Sequence, residues 1–333
     1  MGEETIFYIL LYEEVCIMQT VTAAQEETQN EIVNKNINLA EMIDKFINAQ
    51  DVSSNSRDTY RRELRKFAEW LEDTGRIDRL NTIQREDILE YKDYLQEEDL
   101  SSYTISGYLT AVRKFFKWLE SKRIYPNIAQ NIKGMKKAKG HRRDCLTPSQ
   151  IKKALDKIDT STMKGKRDYA LFNLLARTGL RTIEIANANI GDIRQESGQA
   201  VLWIKGKGRD EKDDFVLLTE ESLEPIREYL AERDRLEDDK PLFISLSNRN
   251  YGGSMTTRSI SRVIKNILKK INLNSKRYTA HSLRHTAITQ AIKGGASLEQ
   301  AQAMARHSDP KTTMVYFHNL DRIDEGAEKC IEF

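Results

Sequence analysis

Between Leu39 and Leu119 apolar residues recur at spacings of three and four. This feature most constrains the fold, because such stripes are buried when helices pack on helices. The first stripe runs through Leu39, Met42, Ile43, Phe46 and Ile47. A second helix starts near Ser56, buries Tyr60, Leu64, Phe67, Ala68 and Leu71, and ends near Gly75. A third spans Gln84 to Glu97 through Ile88, Tyr91 and Leu95. A fourth follows Ser101-Ser102 and carries Ile105, Leu109, Val112, Phe116 and Leu119. Amphipathic helices with short polar connections predict a four-helix bundle over residues 38–125.

Charge is distributed unevenly around that bundle. The net charge of +2 conceals an acidic segment, residues 1–37, with seven acids and one base. The rest of the chain holds 52 bases against 44 acids, and residues 101–143 hold eleven bases and the single acid Glu120. Such a stretch is an electrostatic footprint for a polyanion, although a solvated helix face gives the same composition. Arg57, Arg61, Arg62 and Arg65 oppose the apolar stripe of the second helix, and Arg113, Lys114 and Lys117 do so on the fourth. Two basic faces in one bundle suit a nucleic-acid duplex. Residues 126–146 lose the periodicity and contain Lys136, Lys137, Lys139, Arg142 and Arg143. They read as a basic interdomain linker running along phosphates.

The cysteines, Cys16, Cys145 and Cys330, are sparse and widely separated, which argues for a reducing cytosol and against a disulfide framework. The run Ile6–Tyr12 is too short for a membrane span and follows Glu3-Glu4, unlike a signal peptide. It is either an extra start upstream of Met18 or a segment that docks on a partner. Residues 19–37 are polar and expected to be mobile.

The second domain, 147–325, opens on a capping box, Thr147-Pro148-Ser149-Gln150. A buried helix is predicted from about Arg167 to Arg177, stopping at Gly179, followed by a short helix with Arg181 and Glu184. Val201–Lys205 and Phe215–Leu218 predict a hairpin with Lys207 near its tip. Further helices are expected at 222–236, 257–271, 281–293 and 297–306. Residues 326–333 form a tail, and Leu320, Ile323, Ile331 and Phe333 give the chain after Tyr316 a partly apolar character. The fold class is therefore mainly α with a small β-hairpin or sheet.

Four of the five histidines lie between His281 and His318, with Arg284 three residues after the first. Tyr316 follows His307 by nine residues. Arginine matches phosphate bidentately, and histidine adds donors that titrate near neutrality. Together with a phenol they suit an anionic phosphorus centre attacked by an oxygen. His281 and His285 also stand at a zinc spacing, but Ser282 occupies the place of the HExxH glutamate, so no metal is expected. His285 reads as a helix-packing residue, and His318 as either structural or functional.

In order, Thr178-Gly179-Leu180-Arg181 with Glu184, Gly206-Lys207-Gly208, His281-Ser-Leu-Arg284-His285, His307-Ser and Tyr316 resemble the motifs of the tyrosine recombinases, the phage integrase family. Residues 39–122 resemble its core-binding domain, and the likeness, strongest to the short Xer-like and transposon-borne integrases, covers about residues 38–325. It implies an N-terminal four-helix core-binding bundle followed by an α+β catalytic domain. It further implies that Arg181, Arg284, His281 and His307 clamp the phosphate, and that Glu184 orients Arg181. Tyr316 would attack phosphorus to give a 3′-phosphotyrosyl bond, and Lys207 would protonate the leaving 5′ oxygen; Lys205 and Lys212 compete for that role. One phosphodiester replaces another, so neither ATP nor any other cofactor is implied.

The family usually has Leu-Gly before the histidine of the His-Ser motif; here Ala305-Arg306 stands there, which bears on the local turn. The implied partner is double-stranded DNA with paired inverted-repeat sites, bound by a homotetramer or by two related recombinases on synapsed DNA. The implied location is cytoplasmic and nucleoid-associated, with no membrane. A non-cutting DNA-binding protein of the same fold and a type IB topoisomerase-like enzyme are the alternatives. Binding to duplex DNA should weaken steeply with salt: about seven phosphate contacts give a log–log slope of about −6. A flat response in a salt titration would remove the basic faces as the contact surface.

Overall fold

In a computed structural model the described residues are 38–77, 82–136, 144–206, 211–234, 236–324 and 326–331. The chain divides into two compact units, one of described residues up to Lys136 and one from Asp144 onward.

The first unit is a helical bundle: α1 (Leu39–Asn48), α2 (Ser54–Asp73), α3 (Arg85–Glu97) and α4 (Ser102–Ser121). Each begins at a polar cap. Asn38, Ser53 and Ser101 accept from backbone N–H groups of the first turns, and Asp87 accepts from Gln84 N at 2.7 Å. The expected stripes face the core, joined by Trp70, Ala111 and Phe115, with Met42, Tyr60 and Ala68 half-buried at its edge. Aromatic rings dominate the core: Phe46 meets Phe115 edge-on at 5.6 Å and Phe67 meets Tyr91 at 4.9 Å.

The residues after α4 depart from a free linker. Tyr125, Ala129 and Ile132 are buried in the bundle core. Tyr125 donates its hydroxyl to Ile83 O at 2.7 Å, and Arg113 donates to Ile132 O at 3.2 Å. Alternation and helical period are both lacking here, so the sequence pattern gave no sign of this packing. Lys137, Lys139, Arg142 and Arg143 lie outside the described residues, as does the 1–37 segment.

The second unit opens with α5 (Pro148–Asp156), whose Thr147/Gln150 capping box is formed. Next comes α6 (Met163–Thr178), four residues longer at its start than its apolar pattern suggests. Its second turn buries charges as a pair: Arg167 binds Asp168 at 2.6 Å and Ile244 O at 3.0 Å. Thr162 Oγ1 caps Gly165 N at 3.1 Å, and a Cβ on Gly165 would lie 1.6 Å from Asp159 O. Helix α6 ends at Gly179, left-handed at φ 62.

The short helix α7 (Thr182–Ala186) leads into a three-stranded antiparallel sheet in the order β1 (Ile193–Glu196), β2 (Gln199–Lys205), β3 (Lys212–Leu217). Strand β1 is additional to the expected hairpin. It joins β2 through Ser197-Gly198, both at positive φ, a two-residue turn matched to strand twist. Leu202, Ile204 and Val216 face the core. Helices α8 (Glu220–Leu230), α9 (Thr257–Lys270), α10 (Ala280–Lys293), α11 (Leu298–Ala305) and α12 (Pro310–Asp324) complete the unit. Tyr316 and the first two apolar residues after it, Leu320 and Ile323, therefore sit within α12. Among the described residues no helix is long and apolar enough to cross a membrane.

Gly165→Ala should destabilise the chain by about 1–3 kcal/mol, the usual range for overpacking, because the added methyl meets backbone. A denaturant midpoint equal to that of the parent chain would contradict this account of α6.

Candidate active site

The ends of two helices define the site. Helix α6 closes at Gly179 and α11 closes at Arg306, which takes φ 52 and ψ 48, the left-handed conformation in which the family usually places glycine. Helix C-termini carry unsatisfied carbonyls and partial negative charge. Here arginines meet them. Arg284, on α10 and 2% exposed, donates from Nη1 to Gly179 O at 2.6 Å and from Nη2 to Ala305 O. Arg181, the N-cap of α7, donates from Nη2 to Arg306 O at 3.3 Å.

Glu184, completely buried, holds these elements together. Its Oε1 accepts from Arg181 Nη1 at 2.8 Å, and its Oε2 accepts from Arg181 N at 2.7 Å and Arg306 Nη2 at 2.9 Å. Burial alone would raise its carboxyl. The Arg306 charge, then the bonds and charge of Arg181, more than offset that and hold it below its usual range. Burial, then the charges of Arg181 and Arg306, push Arg284 down to about 10, still protonated at neutrality.

Arg181, Glu184, Arg306, His307 and Ser308 line a cleft of about 380 Å³ with Gly206 and Asp214 from the sheet. Lys207 lies outside the described residues; Gly206 immediately precedes it. Of its competitors, Lys212 is paired with the buried Asp192, and Lys205 is half-buried at the end of β2.

Tyr316, 5% exposed, is brought by α12 against this cluster, its ring 6.3 Å from that of His307. Its hydroxyl shares a hydrogen bond of 2.5 Å with His285 Nδ1. Burial raises the phenol well above its ordinary value, and Arg284 offsets part of that. The helix-packing reading of His285 overlooked this bond. The signal available was its place beside Arg284, but the 31-residue separation from Tyr316 hides the contact. His281 is exposed on the first turn of α10, with its ring edge-on to His285 at 4.8 Å. His318 is exposed.

The expected basic DNA contacts divide into two groups. Arg57 donates to Gln50 O at 3.0 and 3.3 Å, and Arg113 donates to Leu109 O, Ile132 O and Thr110 Oγ1. Lys114 bonds Tyr60 and lies over its ring at 4.8 Å. Arg61 pairs with Asp58 at 3.1 Å. Arg62 and Arg65 are largely exposed, with glutamates no nearer than 3.8 Å, and Lys117 and Lys136 are exposed.

A buried tyrosine thus stands beside guanidiniums and a histidine that open on one cleft, an arrangement whose donors and phenol suit chemistry at an anionic phosphorus centre. Residues 144–322 match the phage integrase family, and residues 41–123 match the N-terminal SAM-like domain of phage integrases. The chain belongs to the phage integrase family, the tyrosine recombinases, which cleave and rejoin DNA strands. It is 27% identical to tyrosine recombinase XerD of Listeria monocytogenes over 270 residues, 80% of this chain and 89% of the relative. It is 32% identical over 171 residues to a tyrosine recombinase of Synechococcus elongatus, and over 188 residues to XerC of Caldanaerobacter subterraneus. Those matches take in 51% and 55% of this chain and about half the length of each relative, 52% and 50%. In fold it is similar to XerH site-specific recombinase bound to a palindromic difH substrate (TM-score 0.69, 24% identity, 82% of this chain and 79% of that one). It is likewise similar to the Tn1549 transposon integrase in complex with transposon right-end DNA (TM-score 0.66, 17% identity, 88% and 99%).

Burial, then the charges of Arg284, Arg181, Arg306 and His281, push His307 down to about 4 from its ordinary 6.5. Between those values the unfolded chain binds more protons than the folded one, so stability rises with pH across this window. The thermal midpoint should fall as pH is lowered from 7 to 4, and fall less in His307→Gln. Identical pH dependence of the two proteins would contradict a neutral His307.

Proposed function

We propose that this chain is a site-specific DNA recombinase or integrase that cleaves and rejoins duplex DNA through a 3′-phosphotyrosyl intermediate. The observation that carries the reading is the placement of the buried Tyr316 beside His307, which shares one cleft with Arg181.

The scissile phosphate enters the cleft, and its non-bridging oxygens meet Arg181 and Arg284. Each Nη that bonds a carbonyl or carboxylate carries a second N–H that those bonds do not use. Such pre-aimed donors matter most as charge builds on the pentavalent phosphorus, contributing about 3–4 kcal/mol for one donor by analogy with acyl transfer. His307, neutral, adds an N–H, with Thr313 Oγ1 2.9 Å from its Nδ1 to hold the ring. His281 supplies a further donor from the exposed start of α10. The Tyr316 oxygen attacks phosphorus and its proton passes to His285, the 2.5 Å hydrogen-bond partner. Lys207, next to the cleft-lining Gly206, gives its proton to the departing 5′ oxygen. The 5′ hydroxyl of a second strand reverses the sequence and releases the enzyme.

On the first unit the exposed Arg62, Arg65, Lys117 and Lys136, with Arg61 and Lys114, track phosphates. Arg57 and Arg113 hold the backbone behind them. Paired inverted-repeat sites and a tetramer on synapsed DNA fit this chemistry, as does a cytoplasmic, nucleoid-associated location.

A nicked suicide substrate, which lets the 5′-hydroxyl fragment diffuse away, should trap the parent chain on the 3′-phosphate side, with Tyr316 in the linked peptide. Tyr316→Phe should bind the same DNA with unchanged affinity and form no adduct. An adduct surviving in that variant, or mapped to another tyrosine, sinks the assignment.

A further inference from the structure

Arg306 lines the cleft, and the reading above gives it no task. It carries two costs. Its backbone is left-handed, a conformation disfavoured for any residue with a Cβ. Its Nε is buried without a hydrogen-bond partner among the described residues. Glycine would remove both costs, and strain retained beside a reactive site points to a function.

The contacts show what that function is. The left-handed turn directs two successive carbonyls at the two arginines of the clamp. Ala305 O accepts from Arg284 Nη2, and Arg306 O accepts from Arg181 Nη2 at 3.3 Å. The Arg306 side chain then folds back, 5% exposed, and fastens the turn. Its Nη2 donates to Glu184 Oε2 at 2.9 Å and to Gly179 O at 3.3 Å, and its Nη1 donates to Met304 O at 2.6 Å. Gly179 O also accepts from Arg284, and Glu184 also accepts from Arg181. Arg306 thus joins, through its own backbone and side chain, acceptors shared with both clamp residues.

We propose that Arg306 is a positioning residue, a brace that ties the α11–His307 turn to Glu184 and Gly179 and so fixes the guanidiniums of Arg181 and Arg284 in their transition-state geometry. The proposal rests on the reading of the cleft as a phosphodiester site. A planar fork of donors is needed, since one guanidinium reaches acceptors on three segments; the compact ammonium of lysine would not span them. The charge balance agrees: three guanidiniums stand against Glu184 and the cleft-lining Asp214, a surplus of one positive charge that an entering phosphodiester offsets.

The test uses the full chain with Arg306→Gly and Arg306→Asn, both of which accept the left-handed turn. Single-turnover cleavage of the nicked substrate, DNA affinity and thermal midpoint are measured for each. A shift of about 1 Å in a reacting group costs on the order of a hundredfold, so cleavage should slow at least about tenfold. Affinity should stay unchanged, while the midpoint of Arg306→Gly should fall, because loss of the buried Glu184 ion pair outweighs relief of the left-handed backbone. In a Glu184→Gln background the same substitution should cost much less, because both changes cut one link. Cleavage at the parent rate would overturn the proposal. So would parallel loss of rate and affinity, which marks a direct DNA contact, or additivity with Glu184→Gln. If Arg306→Gly does not fold, Arg306→Asn gives the decision. Failure of the parent chain itself to form a Tyr316 adduct would overturn the strand-transfer reading, and the brace with it.

Discussion

The second unit depends on arginines meeting the open carbonyl ends of two helices. Helices α6 and α11 both stop on left-handed residues, Gly179 and Arg306, and their terminal carbonyls turn toward the cleft. Left alone, these buried acceptors would be costly. Arg284 satisfies Gly179 O and Ala305 O, Arg181 takes Arg306 O, and Glu184 ties the guanidiniums of Arg181 and Arg306 together. Hydrogen bonds from charged donors contribute about 1.5–3 kcal/mol each, which is what allows guanidiniums so little exposed to stay charged. The groups that hold the fold closed at this point are thus the groups that the proposed mechanism aims at the phosphate. Preorganisation needs no separate scaffold, since moving the donors would break the helix caps.

The same crowding of positive charge sets the protonation of the neighbours. Burial, with Arg284, Arg181 and Arg306 around it, pushes His307 to about 4, so it is a neutral imidazole at pH 7, held beside Thr313. Tyr316 goes the other way: burial keeps its phenol protonated, and His285 is at hydrogen-bond distance. In the proposed mechanism the free chain thus holds a nucleophile that is not yet ionised beside a cluster that is not yet neutralised, and a bound phosphate would change the second condition and, through it, the first.

In the helical unit, position on a basic face does not by itself make a residue a phosphate contact. Arg57 and Arg113 stand on faces opposite apolar stripes, as do Arg62 and Lys117, yet the first two spend donors on Gln50, Leu109 and Ile132 carbonyls. Chain segments that lack regular structure need such donors, and the segment after α4 obtains one from Arg113. The residues that make the surface basic and those that hold a loop in place carry the same charge in a sequence.

What the sequence by itself determined was whatever follows from neighbours three or four residues apart. The stripes of α1 to α4, the Thr147 and Ser297 caps and the stop at Gly179 are local effects, and all are present in the structure. The candidate catalytic residue types were legible because their motifs are short, although Lys207 lies outside the described residues. Only the tertiary structure decided how those motifs meet. It placed β1 beside β2, extended α6 over a buried Arg167–Asp168 pair, and drew Ala129 and Ile132 into the bundle. It put Tyr316 on a helix against His285, and it made Arg306, where the family usually has glycine, the bridge between Gly179 and Glu184. Those contacts join residues between 31 and 127 positions apart. Periodicity carries no information at that range, because the partner of a buried donor is set by where the helices pack and not by which residues lie beside it in the chain.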